Sequence, residues 1–514
     1  MIASESSAAS GARSWSGNRQ IPWRHIAIYA LAAILSAWLS VSAQPTILGD
    51  DAAIGLRYAE RLANGQGFTY NDHERVCGAS NPLWTLLISL GPRVGLDVER
   101  TARVLASAFY ILAAVLASAV AMQTAGVWMG LLVAFAVPVD TFWRTQGLAG
   151  LEMPLALSLG LAAILASNAM RDVVAGGFLG LALVTKLDAA ALILAVTAAS
   201  VIAHRRLPVR TLVSAALVSL PWFLFAWAYF GRPWPQSLTA KLTHGSEKAM
   251  HHLWVVEFMA FDTRYLLWVL GVMGLVVSAK ATPSRRMIVV SIFGWFLIHS
   301  AGYSVVNLGD LYPWYLAIPA ALTWLAASGA AAAGTNGWKA VVAVVLVLVA
   351  IPHWRQMLAE ARNPPSIALA YAIDSDRRLA GVFIDQFAAP TEVVESGFGW
   401  VAYEGRRTFI DGSGLNSRMT LPSTYVVLEN VPTEVHQAAP PGYVPLARFD
   451  LVGHLFPGRA GFTVYGQRNS AIAMAGRTED DVDAERLRDH TLATAWRQFR
   501  REARSRSRYP SDPR

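Results

Sequence analysis

The stretch that decides the fold class is ARVLASAFYILAAVLASAVA, residues 102–121, in which Arg103 is the only charged side chain. A helix needs about 20 apolar residues to cross a bilayer, so this stretch predicts a transmembrane helix. Ten further apolar runs occur at 25–44, 125–140, 153–169, 173–186, 188–203, 210–230, 262–279, 287–306, 312–331 and 338–353. The sequence therefore predicts a polytopic α-helical membrane protein with about eleven transmembrane helices within residues 25–355.

Composition and charge support this class. Of the 514 residues, 54% are hydrophobic and only 15% are charged. The net charge of +8 does not indicate a nucleic-acid partner, because Lys and Arg lie mainly in short turns between apolar runs, where they set membrane topology. Cys77 is the single cysteine, so no intramolecular disulfide forms.

The basic turns predict the orientation. Arginines in residues 1–24, before the first span, and the dense basic turns at 204–210 and 280–286 all fall on one side of the membrane under this division. The positive-inside rule makes that side cytoplasmic. We expect residues 1–24 to be a disordered cytoplasmic segment and the first loop, 45–100, to lie outside. The expected location is a bacterial inner membrane, with the active site on its extracytoplasmic face.

One apolar run in the first loop is too short to span. It begins at Asn81-Pro82-Leu83-Trp84 and ends near Leu90. We predict a helix at the outer interface, with the Trp84 ring at headgroup level. Counting this run as a span would invert every later loop and place the basic turn 204–210 outside.

The chain changes character after Pro352, and Pro364-Pro365 marks a boundary. Residues 366–470 predict an extracytoplasmic α/β domain, with strands near 381–384, 391–394, 425–428 and 461–465. Residues 471–514 predict a charged tail with one exposed helix followed by disorder.

The first loop carries the groups that suggest chemistry. It contains LGDDAAIGLRYAERLANGQGFTYN, residues 48–71, in which Asp50 and Asp51 begin an amphipathic interfacial helix. Either carboxylate can cap that helix. Adjacent like charges near a low-dielectric boundary also raise one pKa, which suits a catalytic base. The residues alone leave both readings open.

These motifs, taken together, resemble GT-C-fold glycosyltransferases. The strings that carry the resemblance are DDAAIGLRY (50–58), NGQGFTYN (64–71), NPLW (81–84), GLEMPL (150–155), YFGRP (229–233), GDLYPW (309–314) and residues 397–411, in this order along most of the chain. More narrowly, they resemble the branch that includes the mycobacterial cell-wall arabinofuranosyltransferases and related uncharacterised bacterial membrane proteins.

The resemblance implies an inverting transfer of a sugar from a polyprenyl-phosphate donor to a glycan or lipid acceptor of the cell envelope. Arabinofuranose is the donor sugar that it suggests, and membrane lipid surrounds the site. Asp50 is the first choice for the catalytic base and Asp51 the second. A phosphate leaving group needs cationic or N–H partners. We therefore expect no required cofactor and predict no metal site, with a divalent cation left optional.

Further substrate-binding candidates follow from the same resemblance. It places Glu152 at the cavity and Lys186 against the lipid phosphate, although a snorkelling Glu152 and a Lys186 merely neutralised by Asp188 both stay open. Relatives carry Pro or Gly beside this cation and this chain has neither. Apart from the resemblance, the outer-face cations could bind the phosphate and the aromatic rings could stack on the sugar, although most such residues contact lipid headgroups or anchor the interface: Arg57, Arg232, Lys241, His244, Tyr312 and Trp314.

Two alternatives come from other classes. The first is a non-catalytic membrane scaffold, or an envelope or motility assembly factor, on the same fold. The second is a transporter, which would need buried mid-span charges or paired broken helices. An Asp50→Asn change should abolish an enzyme and spare a scaffold.

Overall fold

The structure is a computed structural model that describes residues 22–42, 48–239, 264–305, 313–362, 365–411, 416–417, 422–429, 440–450, 461–483 and 496–497. The helices are α1 (Trp23–Ser42), α2 (Asp50–Ala63), α3 (Pro82–Ser89), α4 (Val98–Ala125), α5 (Val127–Val139), α6 (Thr141–Gly147), α7 (Met153–Asn168), α8 (Asp172–Thr185), α9 (Ala190–His204), α10 (Val209–Phe230), α11 (Arg264–Ser278), α12 (Pro283–Val305), α13 (Ala317–Ser328), α14 (Asn336–Arg362), α15 (Pro365–Phe387), α16 (Gly399–Gly405) and α17 (Ala471–Ala475). The strands are β1 (Val393–Glu395), β2 (Thr408–Ile410), β3 (Tyr425–Glu429), β4 (Tyr443–Phe449) and β5 (Phe462–Gln467).

Each predicted span coincides with one apolar helix of the described residues. Seven segments are long and apolar enough to cross a membrane, and α5 with α6 forms an eighth, bent by 61°. The helices α7, α8 and α11 are apolar but shorter. The multi-pass helical fold with a C-terminal sheet domain is confirmed, and the predicted count of eleven is reached only when the three shorter helices are included.

Small residues allow neighbouring helices to approach closely. Gly176 and Gly180 lie one turn apart on α8, facing α10. A Cβ atom at these positions would lie 2.3 Å from the carbonyl oxygen of Thr211 and 2.6 Å from that of Ala215. In lipid, where water does not drive helices together, such backbone-to-backbone packing is a main source of association.

A buried ion pair joins the ends of three helices. Asp140, between α5 and α6, lies 2.7 Å from Nη2 of Arg264 on α11, and both side chains are fully buried. The indole N–H of Trp324 on α13 donates to the same carboxylate at 2.8 Å. Breaking such a pair from one side leaves an uncompensated buried charge, so the arrangement fixes α11 and α13 against the α5–α6 bend.

The first loop folds onto the bundle instead of lying flat on it. Helix α3 is the short helix predicted at 82–90, but the Trp84 ring is 1% exposed and its N–H donates to the carbonyl of Gly150 at 3.1 Å. The Trp84 ring is therefore packed within the protein, and its depth in the membrane stays a prediction. The indole N–H donates to a backbone carbonyl in the turn between α6 and α7, and the ring packs in the hydrophobic core beside that turn.

The C-terminal domain is a mixed five-stranded sheet in the order β2-β1-β3-β5-β4. Strand β1 pairs in parallel with β2 and β3, and β5 pairs antiparallel with β3 and β4. The strands predicted near 391–394, 425–428 and 461–465 correspond to β1, β3 and β5. The strand predicted at 381–384 is wrong, because this run lies inside α15, where Val382, Phe383 and Ile384 are buried between the helix and its neighbours.

The domain continues beyond residue 470. Ile472 on α17 is fully buried, and the Trp496 ring packs on Phe449 with ring centroids 5.8 Å apart. Gln386 of α15 accepts a hydrogen bond from the backbone N–H of Asp483 at 3.0 Å. Part of the segment predicted as an exposed tail therefore packs on the sheet.

Candidate active site

A cavity of about 350 Å³ lies beside the N-terminal end of α9 and the last turns of α12. Its described wall has an apolar part and a polar part. The apolar part includes Leu187, Ala190, Ala191, Leu238 and Ile298, and the polar part includes Ser80, Lys186, Asp188, Ser237, His299, Tyr303 and Tyr315. A pocket that is mostly apolar with a few convergent polar groups is typical of small-molecule sites.

Lys186 supplies a positive charge to the described wall of this cavity. It directly follows α8 and has an extended backbone conformation, so the helix ends before it. Its Nζ lies 2.9 Å from Oε1 of Glu152, whose side chain is only 4% exposed. Asn81 donates to the other oxygen of Glu152 at 2.7 Å. Glu152 is thus a buried partner of Lys186 rather than a snorkelling surface residue.

Asp188 lies two residues beyond Lys186, on the same cavity wall. Its Oδ2 is 4.0 Å from the Lys186 ammonium, which is too long for a hydrogen bond. The same oxygen accepts from the hydroxyl of Tyr303 at 2.5 Å. Asp188 therefore contributes to the charge around Lys186, but Glu152 is the residue that binds it directly.

Of the two carboxylates at the start of α2, Asp51 interacts electrostatically with a residue that lines this cavity. Its side chain is exposed in the first turn of the helix. Its charge interacts with the Tyr315 hydroxyl, which lines the cavity and also interacts with Lys186. A carboxylate is a group that can accept a proton from a hydroxyl in general-base catalysis.

Asp50 has a different environment from its neighbour. Both of its carboxylate oxygens accept backbone hydrogen bonds from α16, from Gly399 N and Trp400 N at 3.0 Å each. The N-cap of α2 is Gly49, without a side-chain cap, so Asp50 caps a helix of the C-terminal domain and not its own. Arg377 Nη1 lies 3.7 Å from Asp50 Oδ1.

Behind Asp50 lies a second acidic group. Asp374 on α15 accepts from Arg377 Nη1 at 2.9 Å. Burial, together with the negative charge of Asp50, raises the pKa of Asp374 to about 7. The two carboxylates also raise the pKa of Arg377, so this arginine keeps its charge while Asp374 titrates. The cluster joins the first loop to the C-terminal domain.

The other predicted binding residues do not line the described cavity. Arg57 is 5% exposed and donates to backbone carbonyls of Tyr70 (2.8 Å), Arg407 (2.7 Å) and Ala402, which ties α2 to the C-terminal domain. Burial lowers the pKa of Arg57 to about 10. Arg232 donates to Gln236. The half-buried Trp314 packs against Tyr315, with ring centroids 5.9 Å apart. Lys241, His244 and Tyr312 lie outside the described residues.

Sequence reasoning missed the three residues of the described cavity wall that carry an aromatic ring, His299, Tyr303 and Tyr315. Tyr315 follows the quoted GDLYPW string by one position, while His299 and Tyr303 are separated by one helical turn near the end of the apolar run 287–306. Two polar residues at this spacing on a span were a usable signal, because they lie on one helix face.

Comparisons with known proteins bear on the fold. No protein-family model matches the chain, and no curated protein matches it. The apo crystal structure of the Archaeoglobus fulgidus oligosaccharyltransferase is similar over 79% of this chain and 70% of its own, with a TM-score of 0.50 and 13% identity. The structure of ArnT from Cupriavidus metallidurans bound to undecaprenyl phosphate matches 85% of this chain and 97% of its own, with a TM-score of 0.49 and 13% identity. The first likeness shows that the chain shares the membrane fold of that oligosaccharyltransferase, the GT-C fold that its sequence motifs imply.

Proposed function

We propose that this chain is an inverting glycosyltransferase that takes a sugar from a polyprenyl-phosphate donor outside the cytoplasm and transfers it to a glycan or lipid of the cell envelope. Arabinofuranose is the first candidate for the donor sugar, on the sequence resemblance alone. The observation that carries the proposal is the cavity, in which Lys186 and an apolar wall are combined at one end of the helix bundle.

The two parts of the wall suit the two parts of such a donor. Leu187, Ala190 and Ile298 offer apolar surface to a polyprenyl chain. Lys186 offers N–H donors to a phosphate, and its pairing with Glu152 at 2.9 Å uses only one of the three. Glu152 holds the ammonium at this position, so the cation is oriented before the donor arrives.

In this proposal Asp51 is the general base. The acceptor hydroxyl oxygen forms a bond to the anomeric carbon while the bond from that carbon to the phosphate oxygen breaks. The bonding electron pair leaves with the phosphate, next to Lys186, and the hydroxyl proton passes to the Asp51 carboxylate. The attack comes from the face opposite the phosphate, so the anomeric configuration inverts. Asp50 holds α2 in place through Gly399 and Trp400.

The test is sugar transfer by the purified full chain in lipid nanodiscs. The donors are radiolabelled polyprenyl-phosphate arabinofuranose and polyprenyl-phosphate mannose, with cell-envelope glycan and lipid fractions as acceptors. We expect transfer by the wild type and a loss of about 100-fold in Lys186→Met, because removal of one donor to a developing anion typically costs about that much. Lys186→Arg should retain part of the activity, since the positive charge is kept.

Lys339→Met is the matched control, because it removes the same charge from the first turn of α14, at the other end of the bundle. It should leave transfer unchanged. Thermal unfolding in the same nanodiscs separates misfolded variants from inactive ones. Absence of transfer from both donors by the folded wild type would overturn the proposal and favour the non-catalytic scaffold.

A further inference from the structure

We propose that Asp188, His299 and Tyr303 form the subsite that binds the hydroxyl groups of the donor sugar, directly beside the phosphate position at Lys186. This inference rests on the proposed function and adds the residues that recognise the sugar. The sequence motifs gave His299 and Tyr303 no role and considered Asp188 only as a counter-ion of Lys186, and all three residues line the same cavity.

His299 is the first observation. It lies on α12 with 3% of its surface exposed, and it lines the cavity. Neither ring nitrogen makes a hydrogen bond of normal geometry within the described part of the chain, although the main chain of Tyr315 lies beside the ring. Buried polar side chains are rarely left in this state, because an unmade hydrogen bond at a desolvated group is costly. A ligand hydroxyl in the cavity would give the imidazole a hydrogen bond of normal geometry.

The spacing between His299 and Asp188 is the second observation. Nδ1 of His299 lies 4.0 Å from Oδ2 of Asp188, too far for a direct hydrogen bond. A hydroxyl group placed beside the two can donate to the carboxylate and accept from the imidazole, because it carries both one donor and lone pairs. The space between these two atoms therefore suits a hydroxyl group, and it does not suit a methyl group or a second carboxylate.

Tyr303 orients the carboxylate of this subsite. Its hydroxyl donates to Oδ2 of Asp188 at 2.5 Å, and its ring lies 4.9 Å from the His299 ring. No hydrogen bond to Oδ1 of Asp188 is formed among the residues that the structure describes. The Asp188 carboxylate thus keeps acceptor capacity on the cavity side, and a carboxylate is a strong acceptor for sugar hydroxyls.

The charges separate this subsite from the phosphate position. A phosphate beside Asp188 would experience like-charge repulsion, whereas a neutral hydroxyl would not. Lys186 lies only 4.0 Å from Asp188, so a phosphate on the ammonium brings its sugar ring next to the carboxylate. This order, with phosphate at Lys186 and hydroxyls at α12, follows from the fact that the sugar is joined directly to the phosphate in the donor.

The test compares donors that differ by one hydroxyl. It uses the full chain and whichever of the arabinofuranose and mannose donors supports wild-type transfer, together with the analogues lacking each hydroxyl in turn. With the natural donor, His299→Ala should lower kcat/KM by about 10- to 100-fold, the range expected for one hydrogen bond to a substrate. With the analogue that lacks the contacted hydroxyl, the same substitution should change kcat/KM by less than about threefold. Tyr303→Phe should show the same selectivity with a smaller loss.

His353→Ala is the matched control, because His353 is an equally buried histidine on α14 that contacts Thr141 at 3.1 Å, outside the described wall of the cavity. Its effect should be equal for every donor. If His299→Ala and Tyr303→Phe lower transfer equally for all donors while the wild type is active, the subsite is overturned and the proposed function stands. If the folded wild type transfers from none of the donors, both are overturned.

Discussion

Two adjacent carboxylates of α2 differ in what surrounds them. Asp50 is held by the backbone of Gly399 and Trp400, some 350 residues further along the chain, whereas Asp51 is exposed near Tyr315. The sequence could predict a helix that starts with two acids. The family resemblance put Asp50 before Asp51 as the base, but the sequence could not show the partner that distinguishes Asp50, because that partner belongs to another domain.

Asp374 is expected to make the junction between the first loop and the C-terminal domain sensitive to pH. Its folded-state pKa of about 7 lies above the ordinary value of 3.8, so the folded state favours the protonated carboxyl. This stabilisation is fully present below about pH 4 and is lost as the pH rises through about 7. We predict that hydrogen exchange of residues 399–405 increases between pH 5 and pH 8, beyond the intrinsic change in rate.

Asp374→Asn should remove this pH dependence, since an amide does not titrate. Asp385→Asn, on the same helix and paired with Arg407 at 3.2 Å, should keep it. An unchanged slope in Asp374→Asn would show that another group causes the effect.

At the scale of elements, local sequence pattern predicted the membrane-spanning helices more accurately than the secondary structure of the C-terminal domain. Apolar runs longer than about 15 residues can hardly be anything but helices in a membrane protein. The run at 381–384 is short and rich in β-branched and aromatic residues, which is also the pattern of a buried strand. Its helical state comes from the length of α15 and from its packing against α16, neither of which is visible in four residues.

Gly399 should be essential to the contact between α2 and α16. A Cβ atom there would lie 2.3 Å from the backbone oxygen of Asp50 and 3.1 Å from Cγ1 of Ile54. We predict that Gly399→Ala destabilises the protein by about 2 kcal/mol or more, because the two helices must separate to admit the methyl group. Thermal unfolding and hydrogen exchange of α2 measure this effect.

Gly397→Ala provides the comparison, since its Cβ atom would meet nothing within 4 Å and its backbone needs no glycine. It should be neutral within about 0.5 kcal/mol. Equal stability of the two alanine variants would contradict the close packing described for α16.

At the scale of the whole molecule, the predicted topology places certain helix ends on the same side of the membrane, and the structure agrees with this. Glu152, Lys186 and Tyr303 lie at ends of α7, α8 and α12 that the eleven-span division places on one side, and the structure brings them together. If one more or one fewer span lay between these residues in the sequence, they would lie on opposite sides of the membrane. Which side of the membrane this is stays a prediction from the basic turns. Residues at the outer ends of different helices are far apart in sequence. A single sequence therefore indicates candidate residues but does not show which of them are in contact.

The first loop and the C-terminal domain should behave as one unit. Arg57 joins them through the carbonyls of Ala402 and Arg407. We predict that Arg57→Met destabilises the protein by about 3 kcal/mol, because buried carbonyls lose their charged donor. Arg61→Met, one turn further along α2, removes a pair with the exposed Asp72 and should cost less than about 1 kcal/mol. Similar unfolding temperatures for the two variants would contradict the role of Arg57 in joining the first loop to the C-terminal domain.

The measurement that tests the central claim most directly is sugar transfer by Asp51→Asn beside Asp50→Asn, each checked for folding and for donor binding. If Asp51 is the base in a lipid-phosphate glycosyltransferase, Asp51→Asn should bind the donor normally and lose transfer by at least about 100-fold. Asp50→Asn should lose stability first and retain measurable transfer. Full transfer by folded Asp51→Asn, with the loss confined to folded Asp50→Asn, would contradict this account and return the base to Asp50.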